Sequence, residues 1–328
     1  MPADPKIAAI VGSGFIGRAW AIAFARAGCS VRLYDAQSTA GPAALVFIDS
    51  VLDDLAANDL LLGSTAAEVR TRISTVTDLG QALAGADHVQ ENTPEDLETK
   101  RRIFPELDRL AAKDAIIASS TSALVPSSFM EKVPGRARCV VVHPINPPYL
   151  IPAVEIVPSQ WTSAETLERT RSFMTAIGQS PMVMNREIDG FIMNRMQGAL
   201  LEEAFRLVAD GVCTVEDVDI GIRDGLALRW SFMGPFETID LNAPGGVRDY
   251  VERYQEIYVR LFPSMQRRVD WSGSVLKAVE GARRAQVPAD KLVARQRWRD
   301  RRPHGTAPLQ APGAHGNRRI ARELEVEK

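Results

Sequence analysis

The sequence predicts an α/β protein: a doubly wound, mostly parallel sheet followed by an all-α C-terminal domain. Three observations lead there. Short apolar runs that end at glycine or a small polar cluster alternate with helical stretches up to about residue 188. Beyond that point the apolar residues recur only at helical spacing. At 328 residues the chain is long enough for two cores. The expected boundaries are a cofactor domain over 1–188, a helical domain over 189–302 and an irregular tail over 303–328.

Residues 6–11, KIAAIV, read as a buried parallel strand. They run into Gly12-Ser13-Gly14-Phe15-Ile16-Gly17, and then into a helix with apolar residues at Ile16, Trp20, Phe24 and Ala27, closed by Gly28. A second strand, Val31 to Tyr34, ends at Asp35, 18 residues after Gly17. A lone glycine triplet would be weak, but glycines set between strand and helix, with an acid after the next strand, form a dinucleotide fingerprint. Gly12 permits the tight turn, Gly14 the approach of a pyrophosphate, and Gly17 the close packing of helix on strand. The helix N-terminus offers free N–H groups to the phosphates. Asp35 can accept the ribose diol and would repel a 2′-phosphate, and Ala36, Gln37 and Ser38 bring no arginine to bind one. A Rossmann-type domain using NAD follows.

Residues 42–62 read as a helical excursion, and between Arg32 and Arg70 there are six acids and no Lys or Arg. A strand near Arg72 to Val76, a short helix and the strand HVQEN at 88–92 come next. Glu95 and Lys100 then fall at the carboxyl edge of the sheet, where a cofactor lies in this architecture; an acid-capped helix with a solvated basic face is the plainer alternative. The run AIIASSTSAL ends a strand in Ser119, Ser120, Thr121 and Ser122, a hydroxyl cluster suited to capping or to a substrate oxygen.

The stretch VVVHPINPPYLIPAVEIVP, 140–158, carries His143 at a strand end and Glu155 on the next strand. A carboxylate against an imidazole supports proton transfer, although a structural His beside a chance Glu is as common. An amphipathic helix over 163–177, a strand PMVM and a long helix opened by Asp189 as N-cap follow, with Asn194 in the first turn of that helix. Helices continue to about Phe262. The basic run RQRWRDRR at 295–302 reads as a solvated helix face or a frayed terminus rather than a nucleic-acid site.

A net charge of −2, with 45% hydrophobic and 24% charged residues, gives no global attraction to nucleic acid or an anionic membrane. Cys29, Cys139 and Cys213 are widely spaced, make no metal pattern and suit a reducing compartment. No run approaches the roughly 20 apolar residues of a spanning helix. The N-terminal apolar run is broken by three glycines and followed by Arg18, which argues against a signal peptide and for a cytoplasmic protein.

The set VGSGFIG, SSTSAL, HPINPP, AVEIVP, IDGFIMNRM and MGPFE resembles the 3-hydroxyacyl-CoA dehydrogenase family. The likeness is closer to the lambda-crystallin branch, which includes L-gulonate 3-dehydrogenase, through HPINPPYLIPAVE, IGQSP and DGLALRWSFMGPFETIDLNAPGG. The motifs span roughly residues 6–250, with no clear match past about 265. The resemblance implies His143 as the proton-transferring residue, Glu155 as its support, and Ser122 and Asn194 as holders of the reacting oxygen. It implies NAD contacts at Gly12, Gly14, Phe15, Ile16, Gly17, Asp35, Glu95 and Lys100. It also implies substrate contacts at Ser122, Asn146 and Asn194, and a homodimer built by the helical domain.

Two substrate classes remain. A phosphate-rich CoA thioester facing the acids of the excursion would be repelled, which favours a small hydroxy acid, L-gulonate-like or carnitine-like. Arg229, just before the Gly234-Pro235 bend, could clamp its carboxylate. A surface arginine is the plainer alternative. A 3-hydroxyacyl-CoA dehydrogenase and a non-enzymatic crystallin-like NAD-binding protein are the competing functions.

Overall fold

A computed structural model describes residues 6–301, and their contacts divide the chain after Ile192. The first unit holds one eight-stranded sheet. Its elements are β1 (Ile7–Val11), α1 (Phe15–Arg26), β2 (Ser30–Tyr34), α2 (Ala40–Ala57), α3 (Ala66–Thr71), β3 (Ile73–Val76), α4 (Leu79–Leu83) and β4 (His88–Glu91). After these come α5 (Leu97–Leu110), β5 (Ile116–Ser119), α6 (Ser127–Met130), β6 (Cys139–Pro144), β7 (Ala153–Val157), α7 (Ala164–Ala176) and β8 (Ser180–Val183).

The strand order is β3-β2-β1-β4-β5-β6-β7-β8. All pairs are parallel except β6 with β7. The chain winds outward from β1 to β3, then returns to place β4 on the other side of β1. That reversal opens a crevice at the carboxyl ends of β1 and β4, the usual ligand site of such sheets. Both faces are covered. Trp20, Phe24, Ile48, Leu55 and Val142 belong to one buried cluster, and Val89, Phe104, Ile117 and Phe129 to the other.

The continuous part of the first unit ends at Ile192. Gly190 and Phe191 have φ of +76° and +48°, which a right-handed helix cannot contain. The long helix therefore starts at Met193 rather than at Gly190. Phe191 is wholly buried in the first unit's core.

The second unit is helical: α8 (Met193–Ala209), α9 (Val215–Ile220), a π-helical segment (Gly221–Leu226), α10 (Ala227–Trp230), α11 (Pro235–Leu241), α12 (Gly246–Met265), α13 (Gly273–Gln286) and α14 (Leu292–Arg301). Polar ties hold it. Glu202 on α8 accepts from Val269 N and Trp271 Nε1, and the Trp271 ring stacks on Phe205 with centroids 4.7 Å apart. The basic run expected to fray is helical as far as Arg301, with the Arg295 guanidinium 3.3 Å over the Trp298 ring one turn on. The irregular tail expected over 303–328 lies outside the described residues. Among those described, no helix is long and apolar enough to cross a membrane, and no group of His, Cys, Asp or Glu could hold a metal ion.

Candidate active site

The glycine loop forms the floor of the crevice. Gly12 sits at φ +92°, and a Cβ there would lie 2.6 Å from the Asn92 carbonyl oxygen. A Cβ on Gly17 would collide with the Gly12 carbonyl, whereas one on Gly14 would meet nothing within 4 Å. The loop is thus closed beneath and open above Gly14, which is the shape a pyrophosphate requires. Asp35, at the end of β2, accepts from Ser13 N at 2.8 Å and Gln37 N at 2.9 Å. Oδ2 also accepts from Ser13 Oγ at 3.1 Å, so Oδ1 is the oxygen that keeps acceptor capacity for a ribose hydroxyl. Phe15 and Ile16 open α1, with Phe15 half exposed above the loop. These features fit NAD.

His143 ends β6, and the antiparallel register sets Glu155 of β7 directly opposite it. Directly paired residues share a sheet face, so the two side chains meet without any loop to place them. Glu155 Oε2 lies 2.6 Å from His143 Nδ1, and Glu155 is fully buried. With Nδ1–H donated to the carboxylate, Nε2 is left with its lone pair, the state a proton acceptor needs. The other oxygen, Oε1, accepts from Ile192 N at 2.7 Å, and the Phe191 ring packs on the imidazole with centroids 5.7 Å apart. A non-glycine residue at φ +48° stores local strain of about 1–3 kcal/mol, and here it locks the dyad from behind. Sequence reasoning missed Phe191 and Ile192, because neither a positive φ nor a backbone donor leaves a residue-type signal.

A cavity of about 240 Å³ in the first unit is lined by Ile16, Asn92, Glu95, Lys100, Ser122, His143 and Asn146, among others. It brings together side chains from α1, α5, β6 and the loops after β4, β5 and β6. A larger hollow of about 360 Å³ along α7 and β8 carries Glu168 and Arg171, an exposed pair 3.7 Å apart, and has no comparable chemistry.

Glu95 and Lys100 lie on the cavity wall, but their polar atoms serve the protein. One Glu95 oxygen accepts from Thr121 Oγ1, Ser122 N and Ala123 N, which folds the β5 exit loop around it. Lys100 is 1% exposed. Its ammonium meets Glu91 Oε1 at 2.8 Å, Glu91 Oε2 at 3.0 Å and Thr93 O at 3.0 Å. Three acceptors match its three N–H bonds. Lys100 lines the cavity while its ammonium is committed to buried Glu91 and Thr93 O. Glu91 is further held by Ser119 Oγ at 2.7 Å.

Asn194 and Arg229 belong to the second unit. Asn194 is the second residue of α8, two positions beyond the Ile192 amide that Glu155 holds. Arg229 is exposed on the four-residue α10. The excursion at α2 has no cation of its own, yet two reach it: the Arg18 guanidinium of α1 lies 3.7 Å over the Phe47 ring, with burial holding its pKa below the usual value, and Arg70 Nε of α3 meets Asp49 Oδ1 at 2.7 Å. Cys29 and Cys139 contribute no nucleophile, since burial pushes Cys29 up to about 11 and Cys139 to about 12.

Comparison with known proteins agrees with this geometry. The NAD-binding domain of 3-hydroxyacyl-CoA dehydrogenase matches residues 7–188, and the C-terminal domain of the same family matches residues 190–284. Lambda-crystallin of Oryctolagus cuniculus is 42% identical over 294 residues, covering 89% of this chain and 92% of its own. L-carnitine dehydrogenase of Bacillus cereus (strain ZK / E33L) is 38% identical over 250 residues, 76% of each chain. Among solved structures, an NAD-dependent 5-formyl-3-hydroxy-2-methylpyridine 4-carboxylic acid 5-dehydrogenase superposes with a TM-score of 0.80 at 26% identity, covering 93% of this chain and 98% of that one. The chain belongs to the 3-hydroxyacyl-CoA dehydrogenase family and is an NAD-dependent dehydrogenase acting on a hydroxyl group.

Proposed function

We propose that the protein oxidises the 3-hydroxyl of a small, L-gulonate-like hydroxy acid to the 3-keto acid. The observation that carries the chemistry is the His143–Glu155 pair at 2.6 Å on a cavity that also holds Ser122. NAD supplies the hydride acceptor. His143 Nε2 takes the hydroxyl proton, and buried Glu155 stabilises the imidazolium that results. In reduction the same imidazolium returns the proton. Ser122, presented by the loop wrapped on Glu95, and Asn194 hold the reacting oxygen as negative charge gathers on it. Removing one such donor lowers the rate by about 10²–10³. Asn146 completes the wall beside the substrate.

Three points support a free acid over a CoA thioester. The relatives named above include proteins named for carnitine and for a pyridine carboxylic acid, both small acids. The α2 excursion has acids and two visiting cations, Arg18 and Arg70, the second of them taken up by Asp49, where a nucleotide tail would need several uncommitted ones. Arg229 is exposed and offers a planar guanidinium that suits a carboxylate. The lambda-crystallin likeness also leaves a second reading, a non-enzymatic NAD-binding protein, but an assembled dyad favours the enzyme.

The helical unit is the place for a homodimer. Leu228, Phe232, Phe236 and Leu241 are 64–80% exposed in the single chain. A second copy would cover them, and a cytoplasmic location suits the buried thiols. The test is NADH formation with L-gulonate, carnitine, 3-hydroxybutyrate and 3-hydroxybutyryl-CoA side by side. A kcat/KM at least about 10-fold higher for one of the free acids is expected, equivalent to about 1.4 kcal/mol of transition-state discrimination. Preference for the thioester would overturn the substrate assignment, and tight NAD binding without turnover would favour the non-enzymatic reading.

A further inference from the structure

Behind the cavity, four polar side chains form a chain whose hydrogen-bond directions can be deduced without choice. Gln90 on β4 lies 3.2 Å from the Val142 carbonyl oxygen, which can only accept, so the nitrogen of its amide faces that way. The same nitrogen donates to Ser120 Oγ at 2.7 Å. Both Gln90 N–H bonds are then used, and Oε1 is left facing His88 Nε2 at 2.8 Å. His88 must therefore carry its proton on Nε2. Its ring is fully enclosed against Phe24 and Phe173, with Nδ1 bare of any partner.

Ser120 Oγ also receives the Trp20 indole N–H at 3.0 Å. With two donors filling its lone pairs, its own proton has one destination, Asn92 Oδ1 at 2.7 Å. The opposite end of that carboxamide donates to the Gln90 carbonyl at 2.8 Å. Every donor and acceptor between His88 and Asn92 is thereby matched, and one Asn92 N–H bond remains over.

Asn92 stands where that bond matters. It follows β4 at the crevice and lines the cavity with His143 and Ser122. Its backbone N–H donates to Val11 O at 2.7 Å, and its carbonyl is the atom that forces glycine at position 12. It is thus pinned beside the dinucleotide loop. We propose that Asn92 is a cofactor contact, its remaining carboxamide N–H donating to an oxygen of the bound nicotinamide dinucleotide, and that Gln90 is a positioning residue, its amide polarity set by the Val142 carbonyl oxygen and passed on through Ser120. The motif reading of the glycine loop does not reach this pair, because their coupling runs through side chains on β4 and β5.

The test is NADH binding, followed by ligand fluorescence independently of turnover. Asn92→Asp keeps the shape but replaces the donor with a charged acceptor, and is expected to weaken NADH by at least about 10-fold, the loss of one donor plus repulsion. Asn92→Ala should weaken it by about 3–10-fold. Gln90→Leu, which preserves burial, should weaken it several-fold alone and add nothing in the Asn92→Ala background, since the two act in series. Additive losses would assign Gln90 a merely structural part. On wild-type protein, NADH should shift one of the two Asn92 carboxamide proton resonances far more than the other. An Asn92→Asp variant that binds NADH within twofold of wild type, or carboxamide resonances that do not move, would overturn the proposal.

Discussion

The two units bury their apolar residues in opposite ways. In the first, two clusters enclose Trp20, Phe24, Phe104 and Phe191 so fully that no solvent reaches them. In the second, only Ala243 and Val275 among the described hydrophobic residues are buried, while Phe236 is 80% and Leu241 68% exposed. A helix earns its stability mainly by packing an apolar face, so helices that leave theirs bare are incomplete as a single chain. The first unit carries its own core and holds the dyad and the glycine loop within it. The second leaves its apolar faces exposed in the single chain, which is what the proposed homodimer would cover.

That contrast can be broken most sharply at the exposed face. Paired Phe232→Asp and Phe236→Asp substitutions should weaken the dimer by at least about 100-fold, because each removes roughly 1.5–3 kcal/mol of apolar burial and adds a charge. Sedimentation velocity would show monomers, while NADH binding by the first unit should stay within about threefold. An unchanged sedimentation coefficient would place the interface elsewhere.

Within the first unit, burial has a pH signature. Enclosure lowers the His88 pKa to about 4 from an ordinary 6.5, with the Gln90 bond and nearby Asp87 opposing the shift. Below pH 6.5 the unfolded chain takes up a proton that the folded chain refuses, so stability falls from about pH 6.5 down to about 4. The loss approaches roughly 3 kcal/mol. Chemical denaturation across that window should show it, and His88→Gln should flatten the slope by most of that amount. An identical slope in the variant would mean other groups carry it.

A smaller effect should distinguish the units chemically. Arg229→Ala is expected to raise the KM for a small 3-hydroxy acid by about 10-fold, with the KM for NAD nearly unmoved, as for loss of a charge-assisted bond. Equal changes in both would make Arg229 structural.

The sequence made legible what is local or periodic. The glycine loop and Asp35 were readable because φ +92° at Gly12 and a carbonyl packed where its Cβ would be leave only glycine there. His143 and Glu155 were readable because both interrupt otherwise apolar β-strands. What stayed hidden depends on partners distant in the chain. The ion pair of Lys100 stayed hidden, since nothing in residue type shows that Glu91 and Thr93 surround its ammonium. Gln90 read as an ordinary strand residue, although Val142, 52 positions on, fixes its amide. Arg18 read as a stop to an apolar run, and its stacking on Phe47 needs the packing of α1 on α2. The start of α8 shifted because φ at Phe191 is set by its burial, which no propensity encodes.

The central claim is that carboxylate-backed His143 moves the proton, and single-turnover hydride transfer in His143→Ala and Glu155→Gln tests it most directly. The account predicts a fall of about 10²–10⁴ for His143→Ala and a smaller but clear fall for Glu155→Gln, both with NADH affinity within a few-fold of wild type. Near-normal transfer in a folded His143→Ala variant would contradict it.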